Sequence, residues 1–232
     1  MANAKQQAQE WNEAVTGLAQ SRGLTYEPVG GINALGAPAA LCPGGSNRLT
    51  GQLSGEFWGA SCDADEHEAG GFGRKAVLPK AVMAKSHMPD LATVVPVFFV
   101  ESLDANAEDA LLDRHSRRRV EFESIEFNKR FIATVPTGHD PVALRELFSP
   151  AFLDWTTQLD RPVEFGINDA QFFFHWQLRE LTRAEYEAAL AGAAGIFKRL
   201  QLEMAEDGLA TYEPGPWNAG MEPFPPVPGG AA

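Results

Sequence analysis

The sequence predicts an α+β fold: an antiparallel sheet covered by a long C-terminal helix, with an N-terminal helix and a β-hairpin between the later helices. Three observations support this prediction: aromatic and β-branched runs separated by turn signals, one long amphipathic stripe, and a hydrophobic content of 44%. At 232 residues the chain can bury a core without disulfides or a structural metal. We predict a single domain over residues 1–212 and a Pro/Gly-rich tail over residues 213–232.

The N-terminal half predicts one helix and a series of strands. Trp11, Val15 and Leu18 recur at helical spacing, and Gly23 supplies a C-terminal stop. Short β-rich runs follow at 25–29, 48–53, 57–62 and 92–101. We interpret Pro96, inside the last run, as the mark of an edge or a bulge.

The next stretch predicts an antiparallel strand pair and two short helices. Residues 117–135 carry the densest strand signal, which we interpret as two strands joined by a short connection. Asp140 before Pro141, and Ser149 before Pro150, are N-cap and first-turn signals for two successive helices.

A hairpin and a long helix complete the predicted domain. The hairpin joins an alternating run at 163–167 to a strand at 171–178. Thr182 and Glu185 form a capping box, and the helix that they open ends at Gly208. Its apolar stripe consists of Tyr186, Leu190, Ala193, Phe197, Leu200 and Met204.

Charge and cysteine content narrow the classes of function. The net charge of −12 disfavours binding to nucleic acid or to an anionic membrane surface. The longest apolar stretch is far shorter than a membrane helix requires, and the N-terminus lacks the pattern of a secretory signal. Two cysteines are too few for a disulfide framework, so we expect a soluble protein of the reducing cytoplasm. We predict no cofactor.

Residues 120–157 contain a short motif made of Glu123, Ser124, Phe127, Asn128, Lys129, Arg130 and Phe131. The motif resembles the E-S-x-x-F-N-R-R-F core of an uncharacterised bacterial domain family that is frequent in actinobacteria, from which this chain departs at Lys129. The resemblance is strongest over residues 92–206. The family is a domain of unknown function, so the resemblance implies a fold, with a proline-started helix, a hairpin and a final helix, but no reaction or ligand.

Two clusters of basic residues are candidate sites for an anion or a protein partner. The first is Asn128, Lys129 and Arg130 of the motif, where a turn hydrogen bond and a pairing of Arg130 with Glu123 are the structural alternative. The second is Arg117, Arg118 and Arg119, whose guanidinium groups suit phosphate or carboxylate. Acidic residues that precede this second cluster leave mutual neutralisation open as its alternative.

Two further segments are candidates for binding. The run at 62–68 is rich in acidic residues and contains a cysteine and a histidine, but its spacing fits no metal motif, so we predict no metal and favour a solvated loop. The tail carries Trp217, Phe224, Pro225 and Pro226, a composition that suits docking into an aromatic groove of a partner. A spacer, or a segment that packs on its own domain, is the alternative.

The leading interpretation of function is a binding or adaptor protein, whose partner is another protein or a small molecule. An enzyme of unfamiliar type is the alternative, and Glu123, Arg130, His139 and His175 are its dispersed acid and base groups. A structural homo-oligomer is a third possibility.

Overall fold

The computed structural model of this chain describes residues 4–29, 46–53, 56–64, 79–87, 95–103, 116–159, 161–168 and 171–206. Within these ranges the strands are β1 (Thr25–Val29), β2 (Ser46–Leu53), β3 (Glu56–Ala64), β4 (Pro79–His87), β5 (Phe98–Ser102), β6 (Arg117–Val120), β7 (Phe131–Pro136), β8 (Val163–Asn168) and β9 (Gln171–Gln177). The helices are α1 (Ala4–Arg22), α2 (Ile125–Arg130), α3 (Pro141–Leu147), α4 (Pro150–Thr157) and α5 (Arg183–Glu206). The α+β prediction is confirmed.

The described strands form one antiparallel sheet in the order β1-β2-β3-β4-β9-β8-β5-β7-β6. The predicted hairpin is β8–β9, and it lies near the middle of the sheet. Strands β1 and β6 are the two edges. The sheet therefore begins and ends on short strands of five and four residues.

The helices pack on one face of the sheet, and side chains alternate between the two faces. On β9, Phe172, Phe174 and Trp176 belong to the core beneath the helices. Phe173 and His175, between them, face the opposite side because successive residues of a strand point in opposite directions. The side without described helices is called the helix-free face below.

Helix α5 lies across the centre of the sheet and packs on β9 and β4. All six residues of its predicted stripe are buried. The helix is in close contact with β9 at Gly192, where an added Cβ would lie 2.7 Å from Cζ3 of Trp176 and 3.3 Å from Cζ of Phe174. The absence of a side chain at this position allows two large aromatic rings to contact the helix backbone.

Helix α1 docks against the first turns of α5. Trp11, Val15 and Leu18 are each 1% exposed, as their spacing predicts. The ring of Trp11 meets that of Tyr186 edge-to-face, with centroids 5.5 Å apart, and Arg183 Nη2 donates to Ser21 Oγ at 3.2 Å. Gly23 follows α1 with φ of +67°, a conformation that favours glycine.

The predicted caps at Asp140 and Ser149 are confirmed, and the capping box predicted at Thr182 and Glu185 forms only in part. The side chain of Asp140 accepts from the backbone N–H of Val142 at 2.9 Å, and that of Ser149 accepts from Phe152 at 3.1 Å. Thr182 Oγ1 accepts from the backbone N–H of Glu185 at 3.2 Å. The Glu185 carboxylate does not return to Thr182: its Oε1 accepts from the backbone N–H of Arg179 at 3.0 Å and pairs with Arg161. Each cap satisfies a backbone donor that the first turn of a helix leaves without an intrahelical partner.

The structure corrects three details of the sequence interpretation. Strand β4 was not predicted, and β5 begins at Phe98, so Pro96 lies before the strand rather than within it. The connection between β6 and β7 includes the helix α2. Residues 65–68 of the acidic run and the tail with Trp217, Phe224, Pro225 and Pro226 lie outside the described residues, so their predictions stand as they were.

Replacement of Gly192 by alanine should destabilise the fold. The new methyl group would overlap Trp176, and we expect the free energy of unfolding to fall by about 1–3 kcal/mol despite alanine's higher helix propensity. Gly17→Ala is the matched control, because its nearest neighbour would be Arg183 Nη1 at 3.8 Å. That control should gain about 0.5–1 kcal/mol. Urea denaturation measures both, and equal effects of the two substitutions would contradict the close approach at Gly192.

Candidate functional site

The motif of residues 123–131 forms the turn between β6 and β7. Ser124 caps α2, and its Oγ accepts from the backbone N–H of Phe127 at 3.2 Å. The side-chain amide of Asn128 binds both backbone groups of Phe122: Oδ1 accepts from its N–H at 3.2 Å, and Nδ2 donates to its carbonyl at 2.6 Å. Asn128 therefore fixes the chain where it leaves β6.

Arg130 joins this turn to α4. Its Nη2 donates to the backbone carbonyl of Leu159 at 2.6 Å, and its Nη1 donates to that of Thr157. These carbonyls lie at the C-terminal end of α4, where a cation also interacts favourably with the helix dipole. The predicted pairing with Glu123 does not form, and Glu123 is exposed.

Lys129 is the one member of its predicted cluster that points to solvent. Its Nζ lies 2.7 Å from Glu126 Oε1, and 62% of the side chain is exposed. Asn128 and Arg130 instead direct their polar groups to backbone atoms of the same chain. The anion site proposed for these three residues stays a prediction, and the contacts described here favour its structural alternative.

The three arginines of β6 divide between two environments. The Arg117 guanidinium lies over the ring of Phe99, with Cζ 3.5 Å from the ring centroid, and its Nη1 is 3.6 Å from Glu101 Oε1. Only 7% of the Arg117 side chain is exposed. Arg118 and Arg119 are exposed, and Arg119 makes a 3.9 Å contact with Glu121. Arg118 and Arg119 are therefore accessible to a partner, whereas the Arg117 side chain is packed against Phe99 and Glu101.

The helix-free face carries a row of four ionisable side chains, of which the sequence analysis named Arg117 and His175 but neither glutamate. Glu101 on β5 stands directly opposite Glu164 on β8 in the strand register. Arg117 flanks the first carboxylate, and His175 Nδ1 lies 3.9 Å from Oε2 of the second. Each of the four side chains is 15% exposed or less.

An aromatic patch adjoins this row. The rings of Phe99 and Phe173 lie 5.6 Å apart, and both residues are buried. Gly166 lies beneath Phe173, because an added Cβ would come within 2.8 Å of that ring and would overlap the carbonyl of Phe98.

The alternation of apolar and polar residues in β5 and β8 indicates that Glu101 and Glu164 face away from the core. That the two residues stand opposite each other depends on the register of the two strands, which this alternation does not give.

The outer edge of β6 presents backbone groups that do not serve the sheet. The backbone groups of Ser116 and Thr137 are hydrogen-bonded to each other. Because hydrogen-bonded and non-hydrogen-bonded pairs alternate along two antiparallel strands, Arg118 is hydrogen-bonded to Val135, whereas Arg119 is not hydrogen-bonded to Thr134 opposite it. The N–H and C=O of Arg119 therefore point outward. Within the described part of the chain, no strand pairs with this edge.

Helix α3 lies beside this edge. Arg145 Nε donates to the carbonyl of Glu121 at 3.1 Å, which anchors the helix to the end of β6. Val142, one turn earlier on α3, has 47% of its surface exposed. Arg118, Arg119 and the adjoining strand backbone are called the basic edge below.

The acid and base groups of the enzyme alternative do not come together. Arg130 binds carbonyls on the helix-covered side, whereas His175 faces the opposite side of the sheet. Glu123 and His139 are exposed. Within the described ranges there is no group of three or more side chains able to hold a metal ion. Nor does any described helix have the length and apolar character required to cross a membrane.

Comparison with known proteins identifies a shared fold. No family model and no curated protein matches the chain. Among solved structures, it is similar to the crystal structure of the mycobacterial trehalose monomycolate transport factor A, TtfA, with a TM-score of 0.53 and 12% sequence identity. The alignment covers 83% of this chain and 95% of that one. The similarity extends over most of both chains, and at this identity it shows the fold alone.

Asn128 should be more important for stability than its exposed neighbour. Asn128→Ala removes both hydrogen bonds to Phe122, and we expect the free energy of unfolding to fall by about 1–3 kcal/mol. Lys129→Ala removes a solvated pair and should change it by no more than about 0.5 kcal/mol. Chemical denaturation compares the two variants, and a lysine effect as large as the asparagine effect would contradict the assignment.

The arginines of β6 should differ in the same assay. Arg117→Ala removes a largely buried guanidinium together with its contacts to Glu101 and the Phe99 ring, so we expect a loss of about 2–4 kcal/mol. Arg118→Ala, on the same strand, should cost at most about 0.5 kcal/mol because its side chain is exposed. Equal losses at the two positions would show that Arg118 also has a structural role.

Proposed function

We propose that this chain is a binding protein of the adaptor class, whose protein partner docks on the basic edge. The observation that carries the proposal is the exposure of Arg118 and Arg119 side by side on an edge strand with which no other described strand pairs on its outer side. Exposed arginines are common on surfaces where proteins meet. The remaining basic residue of the strand, Arg117, is held by Glu101 and Phe99 and so supports the edge from within.

The charge of the whole chain strengthens this assignment. The formal net charge is −12, so a basic patch lies against an acidic background. Such a patch orients an acidic partner, because attraction acts at the patch while the rest of the surface repels. Nucleic acid and anionic membranes would meet that repulsion over most of the surface, so we propose a protein as the partner.

The transport-factor description of the structural neighbour is compatible with a binding role. We further propose that the protein acts in the cytoplasm, which agrees with its two cysteines. Membership of the uncharacterised family with the E-S-x-x-F-N-R-R-F core is part of the same proposal. In that case the hydrogen bonds of Asn128 and Arg130 to backbone groups of the same chain explain why the motif has asparagine and arginine at these two positions.

Affinity purification with charge-reversed variants tests the proposed function. The intact protein should enrich a defined set of proteins from the lysate of its own cells, and Arg118→Glu with Arg119→Glu should remove that set. Arg119→Glu alone is compared with Arg22→Glu, which changes the net charge by the same two units. Arg22 is exposed and precedes β1 at the opposite edge of the sheet. Quantitative mass spectrometry measures the enrichment.

The outcome separates the basic edge from general electrostatics. Loss of the same proteins on Arg22→Glu would show that net charge alone controls capture. Retention of all proteins by the doubly reversed variant would place the partner site elsewhere. Circular dichroism should confirm that each variant keeps its fold, as expected for exposed side chains.

A further inference from the structure

We propose that the basic edge binds its partner by strand addition: an extended acidic segment pairs antiparallel with β6 and becomes a tenth strand of the described sheet. This inference rests on the proposed function and adds the mode of recognition and the chemistry of the ligand. In strand addition, main-chain hydrogen bonds supply affinity, and alternate side chains supply specificity.

The backbone of β6 is oriented for such pairing. Two independent contacts determine which residues of β6 and β7 direct their backbone groups toward a neighbouring strand. Ser116 O accepts from Thr137 N at 2.8 Å on one side of β7, and Arg130 O accepts from Leu103 N at 2.8 Å on the other. With these contacts, Thr134 directs its backbone groups toward Phe99, and Arg119 directs its own outward.

The exposed side chains define the ligand. Arg118 and Arg119 are consecutive, so they extend from opposite faces of the sheet. In an added strand, the residues that stand opposite them are also consecutive. Two adjacent acidic residues would thus each meet one arginine, because cross-strand neighbours of opposite charge stabilise a strand pair.

The position of α3 limits the length of the added strand. The carbonyl of Glu121 would be the next outward acceptor after Arg119, but it already accepts from Arg145 Nε. The added strand would therefore stop beside Arg119 and would reach α3 at Val142, whose exposed side chain offers an apolar contact. The ligand is a short segment rather than a long strand.

A second copy of this chain is a poor occupant of the same edge. If two β6 strands paired antiparallel with Arg119 opposite residue 117 or 119, arginine would face arginine across the new pair. Like charges directly opposite one another destabilise a sheet. The charges therefore favour an acidic partner of different sequence.

Two labelled peptides test the chemistry of the ligand. Fluorescence anisotropy compares the binding of TVTEEVTV and TVTKKVTV, each labelled with fluorescein, to the full chain. The net charge of the protein favours the lysine peptide. A preference for the acidic peptide would therefore show that local attraction at the basic edge outweighs the net charge. We expect the acidic peptide to bind at least about tenfold more tightly. Absence of binding, or a preference for the lysine peptide, would overturn the inference.

A pair of variants at Arg119 tests the mode of binding. Arg119→Gln removes the charge and keeps the backbone N–H, whereas Arg119→Pro removes both. Because this N–H points away from β7, proline should leave the sheet intact, as it does on natural edge strands. We expect the proline variant to bind the acidic peptide at least about fivefold more weakly than the glutamine variant, by loss of one hydrogen bond.

Amide exchange provides a second measurement on the unmodified protein. The N–H of Arg119 should exchange quickly in the free chain and slowly when the acidic peptide is saturating, while that of Arg118 is protected in both states. Equal binding by the proline and glutamine variants, or an unchanged exchange rate at Arg119, would overturn strand addition. If charge reversal abolishes partner capture but these tests fail, the proposed function stands and only the binding mode is wrong.

Discussion

The contact between α5 and β9 at Gly192 is the constraint on which the helix layer depends. Two aromatic rings of the central strand occupy the space that a side chain at this position would need. Helix α5 in turn contacts α1, α3 and α4, so its height above the sheet sets theirs. A displacement of α5 by a few tenths of an ångström at Gly192 would therefore shift most of the described helices, because close-packed interiors relax only partly.

The basic edge depends on the same layer through a second set of contacts. Asn128 fixes the exit from β6, Arg130 joins the following turn to α4, and Arg145 joins α3 to the end of the strand. These bonds fix the C-terminal end of β6 and the turn that follows it. The outward backbone groups of Arg119 are therefore already ordered, and binding of a ligand there would not include the entropic cost of ordering the strand.

Local signals account for the features that the sequence predicted well. The caps at Asp140 and Ser149 act on backbone groups two or three residues away, so neighbouring residues are sufficient to identify them. The stripe of α5 repeats over several turns and is equally local. Strand β4 gave no such signal, because Ala81, Ala84 and Lys85 have little β propensity and the strand is set by its neighbours β3 and β9.

The site required information that no local pattern contains. Arg117 and Arg119 are two residues apart and have the same side-chain chemistry, yet one lies over Phe99 and the other is exposed. Both lie on β6, and in the strand register Arg119 rather than Arg117 is in line with Phe99. The tertiary packing of each side chain, and not its place in the sequence pattern, therefore separates the two. In the same way, Glu101 and Glu164 meet because of the β5–β8 register, which a single sequence does not specify.

The docking of α1 on α5 has a consequence for synthesis on the ribosome. Arg183 and Ser21, which join the two helices, are 162 residues apart in the chain. Translation proceeds at roughly 5–20 residues per second, so the apolar stripe of α1 would wait on the order of ten seconds before its partner helix emerges. During that interval α1 can already meet β1 and β2, but the ring of Trp11 lacks its contact with Tyr186 and is open to chaperones and to other nascent chains. The apolar stripe of α1, which the finished fold buries almost completely, is therefore a site of aggregation risk during synthesis.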